Sequence, residues 1–275
     1  MLKDRGVEVV FGIPGVHNQE LYRGIEDAGI IHVLARHEQG AGFMADGYAR
    51  ATGKVGVCYV ITGPGVLNAL TPLGQAYSDS VPVLMIASCL DEVAHEKGQL
   101  HQMRDQIGAA ASVTDWSAMA VTPEAAYGLI DRALSDFTTR RKRPKAIHVP
   151  IALLEADASA APPVKAAREY ADRYRPELAD IADVLSRAKR PLIIAGGGCV
   201  DAWHDLREVA QACGAATLTT YAGRGLIAPD APLHFGSNLS RAGAEAVIGQ
   251  ADVVFAIGTE LAEVDLWRPK LGNTG

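Results

Sequence analysis

Glu38 stands near the head of Arg36-His37-Glu38-Gln39-Gly40-Ala41-Gly42-Phe43-Met44-Ala45-Asp46-Gly47-Tyr48-Ala49-Arg50, a carboxylate at the start of a stretch built largely of small residues. Small side chains let such a stretch pack closely against another element, so the acid can be enclosed. An enclosed carboxyl with no cationic partner keeps its proton more tightly, because burial disfavours the charged form, and it can then serve in acid–base chemistry. Spacing alone leaves a plainer reading open, since an acid in the first turn of a helix also compensates the helix dipole.

Two glycine clusters, Gly12-Ile13-Pro14-Gly15 and Thr62-Gly63-Pro64-Gly65, follow apolar runs. Glycine lets backbone approach a ligand closely, and ligands in open parallel sheets bind beyond the carboxyl ends of strands. Tight strand-to-helix turns explain the same residues. Neither cluster is a dinucleotide or P-loop fingerprint. His17 follows the first cluster, and His101 lies in Leu100-His101-Gln102-Met103-Arg104-Asp105-Gln106. A neutral imidazole moves protons near neutral pH, although a lone histidine is also an ordinary half-buried polar residue. His32, His37, His95, His148, His204 and His234 show no metal-ligand spacing and are read as structural. Asp91 and Glu92 follow an apolar run; they are either a solvated loop or carboxylates able to receive a cationic group.

These groups need a frame, and the apolar pattern supplies one. Runs at Val7–Ile13, Ile30–Leu34, Val55–Ile61, Val81–Ala87 and Ala146–Val149 predict strands, apolar throughout and so covered on both faces. Between them Gln19–Ala28, Glu38–Thr52, Val66–Tyr77 and Pro123–Thr138 predict helices, the last begun by a Thr122 cap and a proline in its first turn. The alternation implies parallel strands with crossover helices. Residues 156–175 change to an Ala, Ser, Asp and Pro-rich stretch and then a charged one, which predicts a surface linker. A second pattern follows, with strands Pro191–Ala195 running into Gly196-Gly197-Gly198, Ala216–Thr220, and Val253–Ile257 running into Gly258-Thr259. The expected class is α/β: a parallel-sheet domain over residues 1–155 and a Rossmann-like domain over 176–275 that reads as truncated after three strands.

Composition narrows the functions. The chain of 275 residues is 48% hydrophobic and 21% charged, with a formal charge of −6, against nucleic acid or an anionic membrane as main partner. Cys58, Cys89, Cys199 and Cys213 form no CxxC pair and read as small core residues of a reducing compartment. The basic run Arg140-Arg141-Lys142-Arg143-Pro144-Lys145 reads as a solvated helix end before a strand. With no apolar leader after Met1 and no run near the ~20 residues of a membrane helix, a cytoplasmic protein is expected.

The run from Arg36 to Arg50 resembles the segment that opens the core of the pyrimidine-binding domain in thiamine-diphosphate enzymes of the acetolactate synthase and 2-oxo acid decarboxylase type. Phe11-Gly12-Ile13-Pro14-Gly15, Thr62-Gly63-Pro64-Gly65-Val66-Leu67-Asn68 and Ala76-Tyr77-Ser78-Asp79-Ser80-Val81-Pro82 are similar to the same family in order and spacing. The resemblance covers residues 1–155 and, more loosely, the stretch from Pro176 onward. It implies a 2-oxo acid substrate and thiamine diphosphate as cofactor. It also implies that Glu38 hydrogen-bonds a ring nitrogen of the aminopyrimidine and so promotes loss of the thiazolium proton, after which the ring serves as electron sink. His17 and His101 would face the reacting carbon. Pro14, Gly15, Gly63, Pro64 and Asn68 would line the pyrimidine or the loop closing over it.

Within that family, Gly12 to His17, Glu20-Leu21-Tyr22-Arg23-Gly24 and the Leu100-His101…Asp105-Gln106 segment are more similar to 5-guanidino-2-oxopentanoate decarboxylases. Acetolactate synthases instead carry a small residue at His17, Phe-Gln-Glu at Leu100-His101-Gln102 and a lysine at Asp115. Benzaldehyde lyase-type carboligases share His17 and the Asp105-Gln106 pair but less of the rest. The resemblance therefore implies a decarboxylase, with a transferase joining two 2-oxo acids or a truncated non-catalytic chain as alternatives. The family's Gly-Asp-Gly…Asn signature for magnesium and diphosphate does not occur in this sequence. Those ligands would come from a further domain, and the site would lie between subunits of a homodimer or homotetramer. Gly196-Gly197-Gly198 stands where some relatives bind a flavin or ADP, but a tight turn is the preferred reading and FAD is not favoured.

Overall fold

Gly-Val-Cys-Tyr-Val and Val-Leu-Met-Ile-Ala-Ser-Cys are buried at every position, as strands covered on both faces must be. In the computed structural model, which describes residues 1–91, 98–164 and 178–272, they are the central strands β3 (Gly56–Val60) and β4 (Val83–Cys89) of a six-stranded sheet. β1 (Val9–Gly12), β2 (Ile31–Leu34), β5 (Trp116–Met119) and β6 (Lys145–Pro150) complete it in the order β2-β1-β3-β4-β6-β5, all pairs parallel. The crossovers carry α1 (Gln19–Ala28), α2 (Glu38–Thr52), α3 (Pro64–Asp79), α4 (Gln106–Ala111) and α5 (Pro123–Thr139), and α6 (Ile151–Leu154) follows β6.

The two faces of the sheet are packed differently. Small residues dominate one: Ala41, Ala45 and Ala49 of α2 and Ala69 and Ala76 of α3 pack with Leu73 and Met85. A side chain on Gly56 would strike the backbone of Ala45, and one on Gly42 would strike the Pro72 ring, so glycine sets how near α2 lies to β3 and α3. The other face buries Val10, Val57, Leu84, Ile86, Phe137 and Ile147. This unit spans Met1–Ala171, and a second spans Asp172–Gly275. There β7 (Pro191–Ala195), β8 (Ala216–Thr219) and β9 (Val253–Ile257) form a parallel sheet in the order β8-β7-β9. Its helices are α7 (Leu178–Arg187), α8 (Trp203–Ala212), α9 (Ala242–Gln250) and α10 (Glu263–Leu266). Gly196 and Gly198 pack against the backbone of Gly258, a contact that a Cβ at either position would prevent.

The structure departs from the sequence reading in several places. β2 is an edge strand with Ile31 and Leu34 exposed, so it is not covered on both faces as expected, and the short helix α4 had no predicted counterpart. β5 was not anticipated, because Trp-Ser-Ala-Met is short and neither alternates nor runs apolar; its pairing with β6 makes it a strand. α3 begins at Pro64 rather than Val66, since proline's fixed φ suits the first turn. The basic run is not uniformly solvated. Lys145 is fully buried on β6, its Nζ 2.8 Å from the Arg143 carbonyl and 3.4 Å from Asp115. It also lies 4.3 Å from the Phe137 ring centroid, and burial lowers its pKa. Arg143 lies over Tyr77 at 4.1 Å. Aromatic faces and aliphatic stems draw these two cations inward. The four cysteines are free, and Cys58, Cys89 and Cys199 are buried. Among the described residues no helix is long and apolar enough to cross a membrane. Glu92, His95 and residues 165–177 of the expected linker and second domain lie outside the described residues.

Candidate active site

Glu38 occupies the first helical position of α2, directly after an extended His37. His37 caps the helix, its Nδ1 accepting the Gln39 N–H at 3.1 Å. The carboxylate of Glu38 therefore turns elsewhere: its Oε2 accepts from Asn68 Nδ2 of α3 at 2.9 Å. The other oxygen faces Gly65, where a built Cβ would come within 3.5 Å of Oε1. No ion pair to Glu38 occurs among the described residues, and Arg36 is exposed. Glu38 itself is half-buried.

Two turns, at the carboxyl ends of β1 and β3, converge near this group. Ile61, at the end of β3, fills the notches left by two glycines: Cβ atoms at Gly15 and Gly65 would lie 2.5 and 2.8 Å from its side chain. The turn after β1 is held by Asn18, which is fully buried; its Oδ1 accepts the Gly15 N–H at 2.7 Å and its Nδ2 donates to the Ile13 carbonyl at 3.4 Å. Sequence reasoning passed over Asn18, although an Asn three residues beyond a glycine is a recurrent turn-former. Pro14 and Pro64 are exposed on their turns.

His17 and His101 come from segments far apart in sequence and meet edge-to-face, ring centroids 5.3 Å apart at 71°. The Nδ1 atom of each is buried without a hydrogen-bond partner. Burial, and secondly the neighbouring His101, lower the pKa of His17, while the charge of Asp91 works in the opposite direction. Asp91, at the end of β4, accepts the Ala152 N–H at 2.8 Å through Oδ1. His101 has φ 63 and packs its backbone against Gly63, which has φ 67 and ψ −108. The Gly63 N–H donates to Gln106 Oε1 at 2.8 Å. Thus the Thr62–Gly65 turn is the common neighbour, with Glu38 at its Gly65 end and His101 at its Gly63 end. Among the described residues no cluster of three or more His, Cys, Asp or Glu could hold a metal ion.

Residues 1–109 match the thiamine pyrophosphate enzyme N-terminal TPP binding domain, and residues 178–272 match the thiamine pyrophosphate enzyme central domain. A probable 2-ketoarginine decarboxylase of Pseudomonas aeruginosa is 47% identical over 285 residues, covering 100% of this chain and 50% of that protein. A probable acetolactate synthase large subunit of Methanocaldococcus jannaschii is 28% identical, covering 95% of this chain and 46% of that protein. The acetolactate synthase isozyme 2 large subunit of Escherichia coli is 30% identical, covering 94% and 47%. The chain thus spans about half the length of the curated relatives it matches.

Proposed function

The chain belongs to the thiamine pyrophosphate enzymes, bearing their N-terminal TPP-binding and central domains, and we propose on that premise that it serves the decarboxylation of a 2-oxo acid ending in a guanidinium. The observation that carries this reading is the convergence of an Asn68-anchored Glu38 and two imidazoles with buried, unpartnered Nδ1 atoms on one glycine-rich turn. The 47% identity to a probable 2-ketoarginine decarboxylase supports the substrate, since 2-ketoarginine is 5-guanidino-2-oxopentanoate.

The residues fit the cofactor chemically. Asn68 holds one carboxylate oxygen of Glu38 and leaves the other turned to the bare backbone of Gly65, a suitable mate for an aminopyrimidine nitrogen. Glu38, Asn68 and the Gly63–Gly65 backbone would hold that ring, with Pro14, Gly15 and Pro64 bordering it. Thiamine diphosphate held there would supply a nucleophilic thiazolium carbon and, in its cationic ring, an electron sink for decarboxylation. Glu38 would exchange a proton with the pyrimidine nitrogen, and Asn68, bonded to its Oε2, would hold the carboxylate in the orientation for that exchange. His17, kept neutral near pH 7 by burial, and His101 offer Nδ1 atoms to orient the leaving carboxylate and return a proton to carbon. Asp91 Oδ1 is engaged by Ala152, which leaves Oδ2 to receive the guanidinium. Magnesium and its diphosphate ligands would come from outside this chain, within a cytoplasmic homodimer or homotetramer.

The test uses the protein encoded by the complete reading frame, supplied with thiamine diphosphate and magnesium. With 5-guanidino-2-oxopentanoate it should release one carbon dioxide per aldehyde formed. Formation of only a ligated hydroxy-oxo acid would overturn the decarboxylase in favour of the acetolactate-type transferase. Glu38→Gln should slow exchange of the thiazolium proton by about 10²-fold or more, as loss of a positioned acid–base group does; undiminished exchange would remove Glu38 from its role.

A further inference from the structure

The amide of Gln106 sits where the ends of three strands and α4 meet. Its Oε1 accepts the Gly63 N–H at 2.8 Å, and its Nε2 donates to the Ser88 carbonyl of β4 at 2.9 Å. The same Nε2 lies 2.9 Å from Nδ1 of His148 on β6, whose Nε2 lies 2.9 Å from Ser117 Oγ on β5. Ser88 ties to the same turn by its hydroxyl, which accepts from Thr62 N and Thr62 Oγ1, each at 3.0 Å. Asp105 presents Gln106 by capping α4, its Oδ1 accepting the Gly108 N–H at 2.7 Å.

Donor and acceptor identities determine the whole chain of bonds. A backbone N–H only donates and a backbone carbonyl only accepts, so the Gln106 amide has a single orientation, oxygen to Gly63 and nitrogen to Ser88. Its second N–H then points at His148 Nδ1, which must be without hydrogen. The imidazole carries its proton on Nε2 and donates it to Ser117. His148 is fully buried, and desolvation lowers its pKa to about 4 against a smaller opposing effect of the Asp105 charge. Protonation at Nδ1 would set N–H against N–H, and turning the amide to relieve it would forfeit the bonds to both Gly63 and Ser88.

We propose that Gln106, held in one orientation by Ser88 and a neutral His148, is a positioning residue that sets the Thr62–Gly65 turn and thereby the placement of His101 relative to Glu38. A Cβ on Gly63 would collide with the His101 carbonyl, and one on Gly65 would approach the Glu38 carboxylate, so movement of this turn reaches both groups. The catalytic consequence rests on the thiamine-enzyme reading; the geometry of the relay does not.

The experiment uses the complete protein and three readouts. In the wild type, histidine ¹⁵N shifts should assign His148 to the Nε2–H tautomer, unchanged between about pH 6 and 9. Gln106→Glu keeps the acceptor for Gly63 but faces His148 with an oxygen, so His148 should take a second proton and titrate well above its wild-type range. Gln106→Met removes the acceptor, and hydrogen exchange at Gly63 should quicken by about tenfold, the worth of one net hydrogen bond. In the loaded enzyme Gln106→Met should lower kcat by roughly 10- to 100-fold while KM changes little, as misplacement of reacting groups does. A wild-type His148 that carries hydrogen on Nδ1, or titrates in the ordinary histidine range, overturns the proposal even if no variant folds. Unchanged Gly63 exchange, or an unchanged kcat, in Gln106→Met overturns it as well. Tautomer and exchange need neither cofactor nor substrate, so failure of the proposed function would leave those two results standing.

Discussion

Replacing Gly63 with alanine tests how tightly the central turn is specified. At φ 67 and ψ −108 the backbone lies in a region open to glycine, where a residue with a side chain is strained by about 1–3 kcal/mol. The new methyl would also run into the His101 carbonyl, a backbone atom that moves only if its segment moves, and such overpacking costs about 1–3 kcal/mol. Loss of unfolded-chain freedom returns about 0.4–1 kcal/mol, leaving a net loss of about 3 kcal/mol. Gly65→Ala is the internal control. Its Cβ meets the Ile61 side chain at 2.8 Å, and a methyl there can give way, so the cost is about 1 kcal/mol. The difference corresponds to about 4–8 °C in the melting temperature of a domain this size, measured by thermal unfolding followed by circular dichroism. Equal melting temperatures for the two variants would refute the argument, because of these two glycines Gly63 alone combines positive φ with a backbone obstruction.

Acid should destabilise the protein through His148. Its folded pKa of about 4 lies below the unfolded value, so the unfolded chain binds a proton first; stability is full above about pH 6.5 and about 3 kcal/mol is lost as pH falls through the folded value. Urea titrations across that window should show the slope, and His148→Gln should flatten it; an equal slope in the variant would assign the acid sensitivity elsewhere. Lys145→Met should leave stability within about 1 kcal/mol of wild type or raise it, because a buried cation is replaced by an apolar chain of similar volume, whereas Lys145→Ala should lose about 2–4 kcal/mol to the cavity. Denaturation midpoints decide between these, and a large loss in Lys145→Met would show that the Asp115 pairing dominates. Asp91→Asn retains an acceptor for the Ala152 N–H but removes the charge that raises the His17 pKa. The His17 titration followed by NMR should therefore move to lower pH, and an unmoved curve would place Asp91 out of electrostatic reach.

The strands that carry the site were legible because parallel strands covered on both faces are apolar at every position, as in β3, β4 and much of β1 and β6. α5 was legible at its start for a local reason: Thr122 Oγ1 accepts the Ala125 N–H at 3.1 Å, with proline in the first turn. Glu38 could be singled out because a stretch of small residues follows it in the chain, whereas His17 and His101 stood apart from the other histidines only through the resemblance to the thiamine-diphosphate family. What lay beyond the sequence was every relation between segments far apart along the chain. β5 is a strand only because β6 lies beside it, and Lys145 is buried only because Phe137 and Asp115 receive it. The bond from Asn68 to Glu38, the meeting of His17 with His101, and the line from Gly63 through Gln106 to His148 and Ser117 each join residues of different elements. Periodicity and capping are local properties of a chain and can be read from it. The partner of a buried donor or acceptor is decided by which strand ends the sheet order brings together, and that order exists only in three dimensions.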